Sequence, residues 1–308
     1  MKVIYGIGNF KKAFPNAVAA IGVFDGVHRG HQALIREAVH RARRNNAPAL
    51  VITFFPHPVR VVRPEIALPY IVSLPLRLKL IGELGAQACL VVRFTKRFAR
   101  LSPERFIRRY IVSGIKPKEI LVGDDFRFGQ GRRGTLDYFR EAGHTYGFRV
   151  NAVGAVKTGS GKIGSSIIRK LIMEGKLSEA ASLLGRRVAV MGRVLRGDGR
   201  GKRLGFPTAN ISVKDGVIPP LGVYAVLVNV GAKTFRAMAN IGRRPSFKKN
   251  DPVHVETHLF DFHGNLYGKE IIVEFVKKIR EEKKFRSPAQ FITQLRGDRV
   301  RAQRILSK

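Results

Sequence analysis

Residues 19–38 read AAIGVFDGVHRGHQALIREA, and the reading of this stretch decides how the first half of the chain folds. An apolar run, AVAAIGVF, reads as a strand, and GHQALIREAVHRARRNN after it reads as a helix. Between them Gly22, Gly26 and Gly30 let backbone approach an anion closely, and the helix that follows aims unpaired N–H groups at it. His28 and His31, three apart, share one face of the first helical turn. That places two imidazole donors where a phosphorus centre gathers negative charge during displacement. The same pair also reads as polar surface residues at a helix cap, and an isolated H-x-G-H does not choose between the two.

Working outward, the strand-then-helix unit repeats. ALVITFF, ACLVVRF and EILVGDDF read as strands, and LPLRLKLIGELG and PERFIRRYIVSG as helices, so the first half is expected to be a parallel sheet with helices on its faces. In open sheets of this kind ligands bind beyond the carboxyl ends of the strands. GVFDGVHRGH, FFPHP and GDDFRFGQGRRGT each follow a strand there. A helical segment, SSIIRKLIMEGKLSEAASLLG, closes this half, with Ile167, Ile168, Leu171 and Ile172 at amphipathic spacing.

After Gly185 the texture changes. VAVMGRVLRG, GVYAVLVNVG, TFRAMANIG, HVETHLFDF and EIIVEFVKKI are short strands between Gly, Asp, Asn and Pro turns, which suggests an antiparallel barrel or sandwich. Ser287 and Pro288 then open a terminal helix as N-cap and first-turn residue. The expected domains are residues 1–184 and 185–308.

Composition bounds the possibilities. A length of 308 residues suits two domains of ordinary size. The single cysteine, Cys89, lies in the apolar run ACLVV and reads as a small buried hydrophobe, and one cysteine excludes an internal disulfide or a metal site built on thiolates. With no secretory apolar region and no apolar stretch approaching the roughly 20 residues that span a bilayer, a soluble cytoplasmic protein without membrane partners is expected. The 57 Lys and Arg against 22 Asp and Glu leave a net charge of +35, spread along the chain. Such a field attracts phosphates, nucleotides or nucleic acid without selecting among them.

Residues 192–211, GRVLRGDGRGKRLGFPTANI, form a second constellation. Gly197, Gly199, Gly201 and Gly205 make a loop able to wrap polyphosphate, with Lys202 and Arg203 adding charge; a plain surface hairpin has the same composition. Pro207 leads into Thr208 and Asn210, two oxygen-bearing side chains on one face of an extended segment, and hard oxygen ligands suit Mg²⁺.

VFDGVHRGH resembles the HxGH signature of the nucleotidyltransferase superfamily, and with its flanks resembles the bacterial bifunctional riboflavin kinase/FAD synthetase family. TFFPHP, GDDFRFGQGRRG and GSSIIR are similar to that family's further elements in the family's order. GFPTAN resembles the riboflavin kinase signature, and GVYAV, ANIGRRPSF and VETHLFDF through LYGKEIIVEFVKKIREEKKF resemble the rest of that domain. The resemblance implies a Rossmann-like α/β nucleotidyltransferase domain followed by an antiparallel flavokinase β-barrel with a terminal helix. It implies that riboflavin and ATP give FMN, and that FMN and a second ATP give FAD and pyrophosphate, both with Mg²⁺.

Carried over by motif, His28 and His31 stabilise the α-phosphate transition state and His57 contacts ATP phosphate, with Gly22, Phe24, Asp25 and Gly30 in the nucleotide-binding loop. Asp25 also reads as a capping carboxylate. Asp125, Phe126 and Phe128 line the flavin and adenylyl groove, and Ser165, Ser166 and Arg169 hold the ATP β- and γ-phosphates. In the second half the resemblance implies Glu256 as general base for the ribityl hydroxyl and Thr208 and Asn210 as holders of Mg²⁺. Outside the motif Glu256 also reads as a solvated strand residue in a cross-strand ion pair, and His254 and His258, flanking it at strand spacing, read as structural.

The sequence departs from the family pattern at Phe55, where an acidic residue usually precedes Pro-His-Pro, at Gly164, where a hydroxyl residue usually stands, and at Arg243, usually threonine. Two rival readings accompany this one: a riboflavin kinase with an impaired adenylyltransferase, and a basic RNA-binding protein on the same fold. Against the second, no RRM-type or KH signature is present and aromatics are not interleaved with the basic runs. No specific nucleic acid partner is expected, and the chain is expected to be a monomer or weak homo-oligomer.

Overall fold

The apolar run after residue 16 becomes a strand of four residues, Val18–Ile21, every one of them buried. This is β2 of the first unit in a computed structural model that describes residues 1–307 apart from 11–13, 159–160, 198–200, 202–203, 214 and 244–252. The chain clusters into two units, residues 1–70 with 74–165, and residues 71–73 with 166–308.

In the first unit β1 (Lys2–Tyr5), β2, β3 (Ala49–Phe55), β4 (Ala88–Arg93), β5 (Glu119–Gly123) and β6 (Arg149–Val153) form one sheet. Their order is β1-β4-β3-β2-β5-β6, and every pair is parallel. The helices are α1 (Arg29–Arg44), α2 (Pro58–Val62), α3 (Leu74–Glu83), α4 (Lys96–Ala99), α5 (Pro103–Phe106) and α6 (Leu136–Tyr146). A small hairpin, β7 (Lys157–Thr158) with β8 (Gly161–Lys162), follows.

A strand's period of two sorts the sheet's side chains into two apolar layers. Ala19, Ile21, Leu50, Ile52, Phe54, Leu90, Val92, Ile120 and Val122 face one core. Val18, Ala20, Val51, Cys89, Val91 and Leu121 face the other. Helix α1 covers the second layer with Leu34, Ile35, Ala38, Val39 and Ala42. Phe139 of α6 and Ile107, Ile111 and Ile115 cover the first. Ile107 and Ile111 come from PERFIRRYIVSG, expected as one helix, and Ile115 follows it directly; the segment is α5 followed by a π-helical stretch, Ile107–Ile115.

β2 and β5 are neighbours, and the connection after β2 leads to β3 on one side while that after β5 leads to β6 on the other; beyond the carboxyl ends at such a switch point open α/β sheets bind their ligands.

The segment expected as a single helix after residue 164 is two helices, α7 (Ser165–Met173) and α8 (Leu177–Leu184). Gly175, at φ 77°, breaks it in the left-handed region that glycine adopts without strain. Ile168, Leu171 and Ile172 are buried as the spacing predicts, while Ile167 is exposed.

The second unit is a closed antiparallel barrel. Its strands β9 (Val188–Leu195), β10 (Ala209–Ser212), β11 (Gly222–Val230), β12 (Lys233–Arg243), β13 (Val253–Leu259) and β14 (Glu270–Arg280) close in the order β10-β13-β12-β11-β14-β9. Val194, Ile211, Val255 and Ile241 stand opposite one another on successive strands, as do Val190, Val273 and Val228, and all are buried. These fill the interior, so the residues between them, Asn210, Glu256, Asn240 and Met238 among others, face outward.

Helix α9 (Pro288–Leu306) covers part of that outer face, packing Ala302 with Ile292, Leu295 and Ile305 against Ala225, Met238, Phe206 and Phe260. Asp298, wholly buried, takes both Nε and Nη2 of Arg280 at 2.8–3.1 Å and the Gln294 amide at 2.9 Å. A paired, hydrogen-bonded charge of this kind docks the helix in one register.

Candidate active sites

The β2–α1 loop is held in a conformation few sequences tolerate. Phe24 (φ 52°), Gly26 (φ 83°) and Val27 (φ 43°) all lie in the left-handed region, where a β-branched residue is strained. The surroundings hold it there. The Phe24 ring is fully buried, and the Val27 carbonyl accepts from the Gln32 amide at 2.9 Å. Gly22 is required by close approach, since a Cβ there would lie 2.9 Å from the Phe24 ring.

This loop delivers His28 to the N-cap of α1, where its Nδ1 accepts from the His31 backbone N–H at 3.3 Å. The capping role and the site role are therefore compatible: Nδ1 caps the helix, and the hydrogen of the neutral ring is on Nε2. The His31 ring stacks on His28, centroids 3.5 Å apart and planes at 20°, and the Phe24 ring lies 5.3 Å away with its plane near perpendicular, at 83°. Burial, then the neighbouring His28, then Arg77 hold the His31 pKa well below the ordinary 6.5. Gly30 leaves room for this pair, because a Cβ there would sit 3.2 Å from Cε1 of His28.

Beneath the loop lies a residue that sequence reasoning missed. Arg77 of α3 is completely buried and donates Nη1 to the carbonyls of Val23 at 3.1 Å and Phe54 at 3.4 Å. Its Nη2 stands 3.6 Å from the Asp25 carboxylate, itself 1% exposed. Asp25 is thus no helix cap; the cap is His28, and the Asp25 side chain faces Arg77. The Asp25 carbonyl accepts from the Ser165 hydroxyl at 3.0 Å. The signal for Arg77 was its place as one of two cations, with Lys79, among the apolar residues of LPLRLKLI, hard to notice in a chain with 57 basic residues.

His57 follows β3 and caps α2, its Nδ1 accepting from the Val59 N–H at 3.1 Å. Its own backbone N–H donates to the Tyr70 hydroxyl at 3.1 Å, and Tyr70 stacks on Phe55 at 5.6 Å. The departure at Phe55 therefore lies in the packing that holds His57.

After β5, Asp125 is exposed and Phe126 half-buried. Phe128 is buried, packed on Phe139 at 5.0 Å, Phe106 at 5.4 Å and Phe126 at 5.5 Å, so it supports the loop from below. The parallel sheet brings the loops after β2, β3 and β5 to one end, because those strands are neighbours. On α7, Ser166 is exposed and Arg169, one turn from Ser165, is buried.

In the barrel, Asn210 of β10 stands directly across from Glu256 of β13, and Glu256 across from Asn240 of β12. This outward-facing row joins an amide, a carboxylate and a second amide. Asn240 is a further residue that the motif reading passed over. Gly197 and Gly201 pack close to the Thr208–Asn210 segment. A Cβ at Gly197 would overlap the Asn210 amide, and one at Gly201 would come within 3.0 Å of the Thr208 hydroxyl. Gly205 turns the chain at φ 79° ahead of Pro207. Gly199 and Lys202, also expected to hold phosphate, lie outside the described residues.

His258, on the face that carries Glu256, bonds through Nδ1 to the Pro207 carbonyl at 2.8 Å, and burial lowers its pKa. Cys89 is inert by the same physics, its thiol pushed up to about 12 by burial.

Comparison with known proteins bears on both halves of the chain. A family model described as FAD synthetase matches residues 10–167, and one described as riboflavin kinase matches residues 184–306. The bifunctional riboflavin kinase/FMN adenylyltransferase of Escherichia coli K12 is 38% identical over 304 residues, 98% of this chain and 97% of that one. The protein of that description from Bacillus subtilis is 36% identical over 96% of this chain and 95% of its own. A crystal structure described as a macrolide-efflux protein from Streptococcus pneumoniae superposes with a TM-score of 0.85 at 30% identity, covering 98% of this chain and 99% of that one. Among the described residues of this chain no helix is long and apolar enough to cross a membrane. Two family models in series and relatives aligned end to end place the chain in the bifunctional riboflavin kinase/FMN adenylyltransferase family.

Proposed function

We infer that this chain makes FAD in two ATP-consuming steps: it phosphorylates riboflavin to FMN in the barrel, and adenylylates FMN to FAD in the parallel-sheet unit. By motif, adenylylation is assigned to residues 1–184 and phosphorylation to residues 185–308. The observation that carries the reading is the presence of two separate constellations, the stacked His28 and His31 at the end of β2 and the Asn210–Glu256 pair on the barrel's outer face.

In the first step Glu256 takes the proton from the ribityl 5′-hydroxyl as its oxygen bonds to the γ-phosphorus of ATP, and ADP leaves. The glycine loop, with Thr208 and Asn210, receives the polyphosphate. Among the described residues no group of three or more His, Cys, Asp or Glu could hold a metal. The Thr208 hydroxyl and Asn210 amide oxygen beside Glu256 nonetheless fit Mg²⁺, which takes few protein ligands and bonds mostly to phosphate and water. When bound there, Mg²⁺ neutralises charge on the ATP phosphates.

In the second step a phosphate oxygen of FMN bonds to the α-phosphorus of a second ATP and pyrophosphate leaves. The nitrogen-bound hydrogens of His28 and His31 meet the charge that builds on the α-phosphate, with His57 on the polyphosphate. Asp125 and Phe126 contact the flavin and adenylyl groups. Ser165, Ser166 and Arg169 bind the β- and γ-phosphates, and Arg77 and Asp25 hold the loop in shape. A cytoplasmic location belongs to the same reading.

The test is chromatographic. Protein incubated with riboflavin, ATP and Mg²⁺ is expected to yield FMN and then FAD. The double variant His28→Ala/His31→Ala should stop at FMN, and Glu256→Ala should make FAD only when FMN is supplied. Parent protein that stops at FMN overturns the adenylylation half, and protein that makes neither overturns both.

A further inference from the structure

His258 presents a buried polar group that neither step uses. Its ring is 6% exposed, between Phe206 at 5.3 Å and Phe260 at 5.8 Å, both edge-on. Nδ1 lies 2.8 Å from the Pro207 carbonyl, so Nδ1 bears the hydrogen and Nε2 is the bare nitrogen. That Nε2 is buried with no hydrogen-bond partner among the described residues. An apolar side chain in this aromatic slot would avoid the cost of an unsatisfied nitrogen, so the imidazole is there for what Nδ1 does. Burial lowers the ring's pKa, an effect the Pro207 bond opposes and Arg299 reinforces, and this keeps the ring neutral.

The bonded carbonyl belongs to the peptide that joins Pro207 to Thr208. A planar trans peptide points its N–H opposite to its carbonyl, so fixing the oxygen also fixes the direction of the Thr208 N–H and the start of β10. His258 and Glu256 are two apart on β13 and share its outer face.

We propose that His258 is a positioning residue of the kinase site: by holding the Pro207 carbonyl it sets the Thr208–Asn210 segment against the ATP phosphates, on the same strand that presents Glu256. This rests on the reading of Thr208 and Asn210 as the phosphate and metal segment.

The two ring nitrogens can be told apart by substitution, since an asparagine amide donates from the Nδ1 position and a glutamine amide from the Nε2 position. Full-length His258→Asn, His258→Gln and Thr208→Ala are compared with the parent in riboflavin phosphorylation at varied MgATP, with adenylylation of supplied FMN as the internal check on folding. His258→Gln is expected to raise KM for ATP roughly tenfold, as loss of one hydrogen bond would, and His258→Asn to stay within about threefold of the parent. For both, kcat, KM for riboflavin and FMN adenylylation should hold within about twofold. Equal behaviour of the Asn and Gln variants overturns the proposal, and so does a loss that falls on kcat or on the riboflavin KM. An unchanged ATP KM in Thr208→Ala overturns the phosphate-segment reading itself and the proposal with it, which separates the two failures.

Discussion

His31 stacks on the His28 ring and meets the Phe24 ring near a right angle, and its place there has a thermodynamic consequence. Burial, His28 and Arg77 all disfavour its protonated form, so its pKa in the folded chain is below the ordinary 6.5 of the unfolded chain. Between those two values the unfolded chain binds more protons than the folded one, so stability rises with pH. The contribution is fully present above the unfolded value and is lost as pH falls toward the folded one. His258 shifts in the same direction for the same leading reason. Acidification from about pH 7 to about pH 5 is therefore expected to lower the melting temperature of the parent, and His31→Gln should flatten that dependence. Parallel melting curves for the two proteins across that range would overturn the assignment. The neutral ring also matters for the chemistry, because a stacked pair cannot easily carry two positive charges and instead offers two neutral donors.

At the level of the element, Gly30 sets two local rules in opposition. Alanine is the better helix former by about 1 kcal/mol, so Gly30→Ala in the first turn of α1 should hold or raise stability. Its Cβ, however, would press on the His28 ring at 3.2 Å, tighter than an ordinary contact. The expected outcome is an unchanged or higher melting temperature with FAD formation cut at least tenfold and riboflavin phosphorylation intact, about 1.4 kcal/mol being enough for a tenfold loss. Full FAD formation by that variant would show that the ring can move without cost. The same level shows what a sequence reveals and what it hides. The four central strands were legible because each is dominated by a run of apolar residues, and α1 because its glycines and histidines mark its start. β1, with one buried residue in four, sits at the sheet's edge and gives no such run. The break between α7 and α8 hangs on Gly175, and isolated glycine inside a helical pattern is ambiguous. The site divides along similar lines. The residues proposed to meet ligand fall in recognisable motifs, whereas Arg77 bonds to backbone carbonyls, which carry no side-chain signature in the sequence.

For the whole molecule the governing quantity is the net charge of +35. Both steps consume ATP, and both constellations are proposed to receive polyanions, so the charge is expected to act on the approach of substrate before any specific contact forms. Long-range attraction of this sort accelerates encounter and is screened within roughly 8–10 Å at physiological salt, whereas the hydrogen bonds inside a closed site are screened far less. The two contributions therefore separate in steady-state kinetics. Raising ionic strength from about 0.05 M to about 0.5 M should lower kcat/KM for ATP severalfold in both reactions and leave kcat nearly constant. Oligonucleotides should bind at the low end of that range without sequence preference and be released steeply towards the high end, as counterion release requires. If oligonucleotide binding instead survives at high salt with a preferred sequence, the charge serves a built nucleic-acid site. If kcat/KM for ATP does not change with salt, the excess of lysine and arginine contributes nothing to substrate capture, and its role lies outside catalysis.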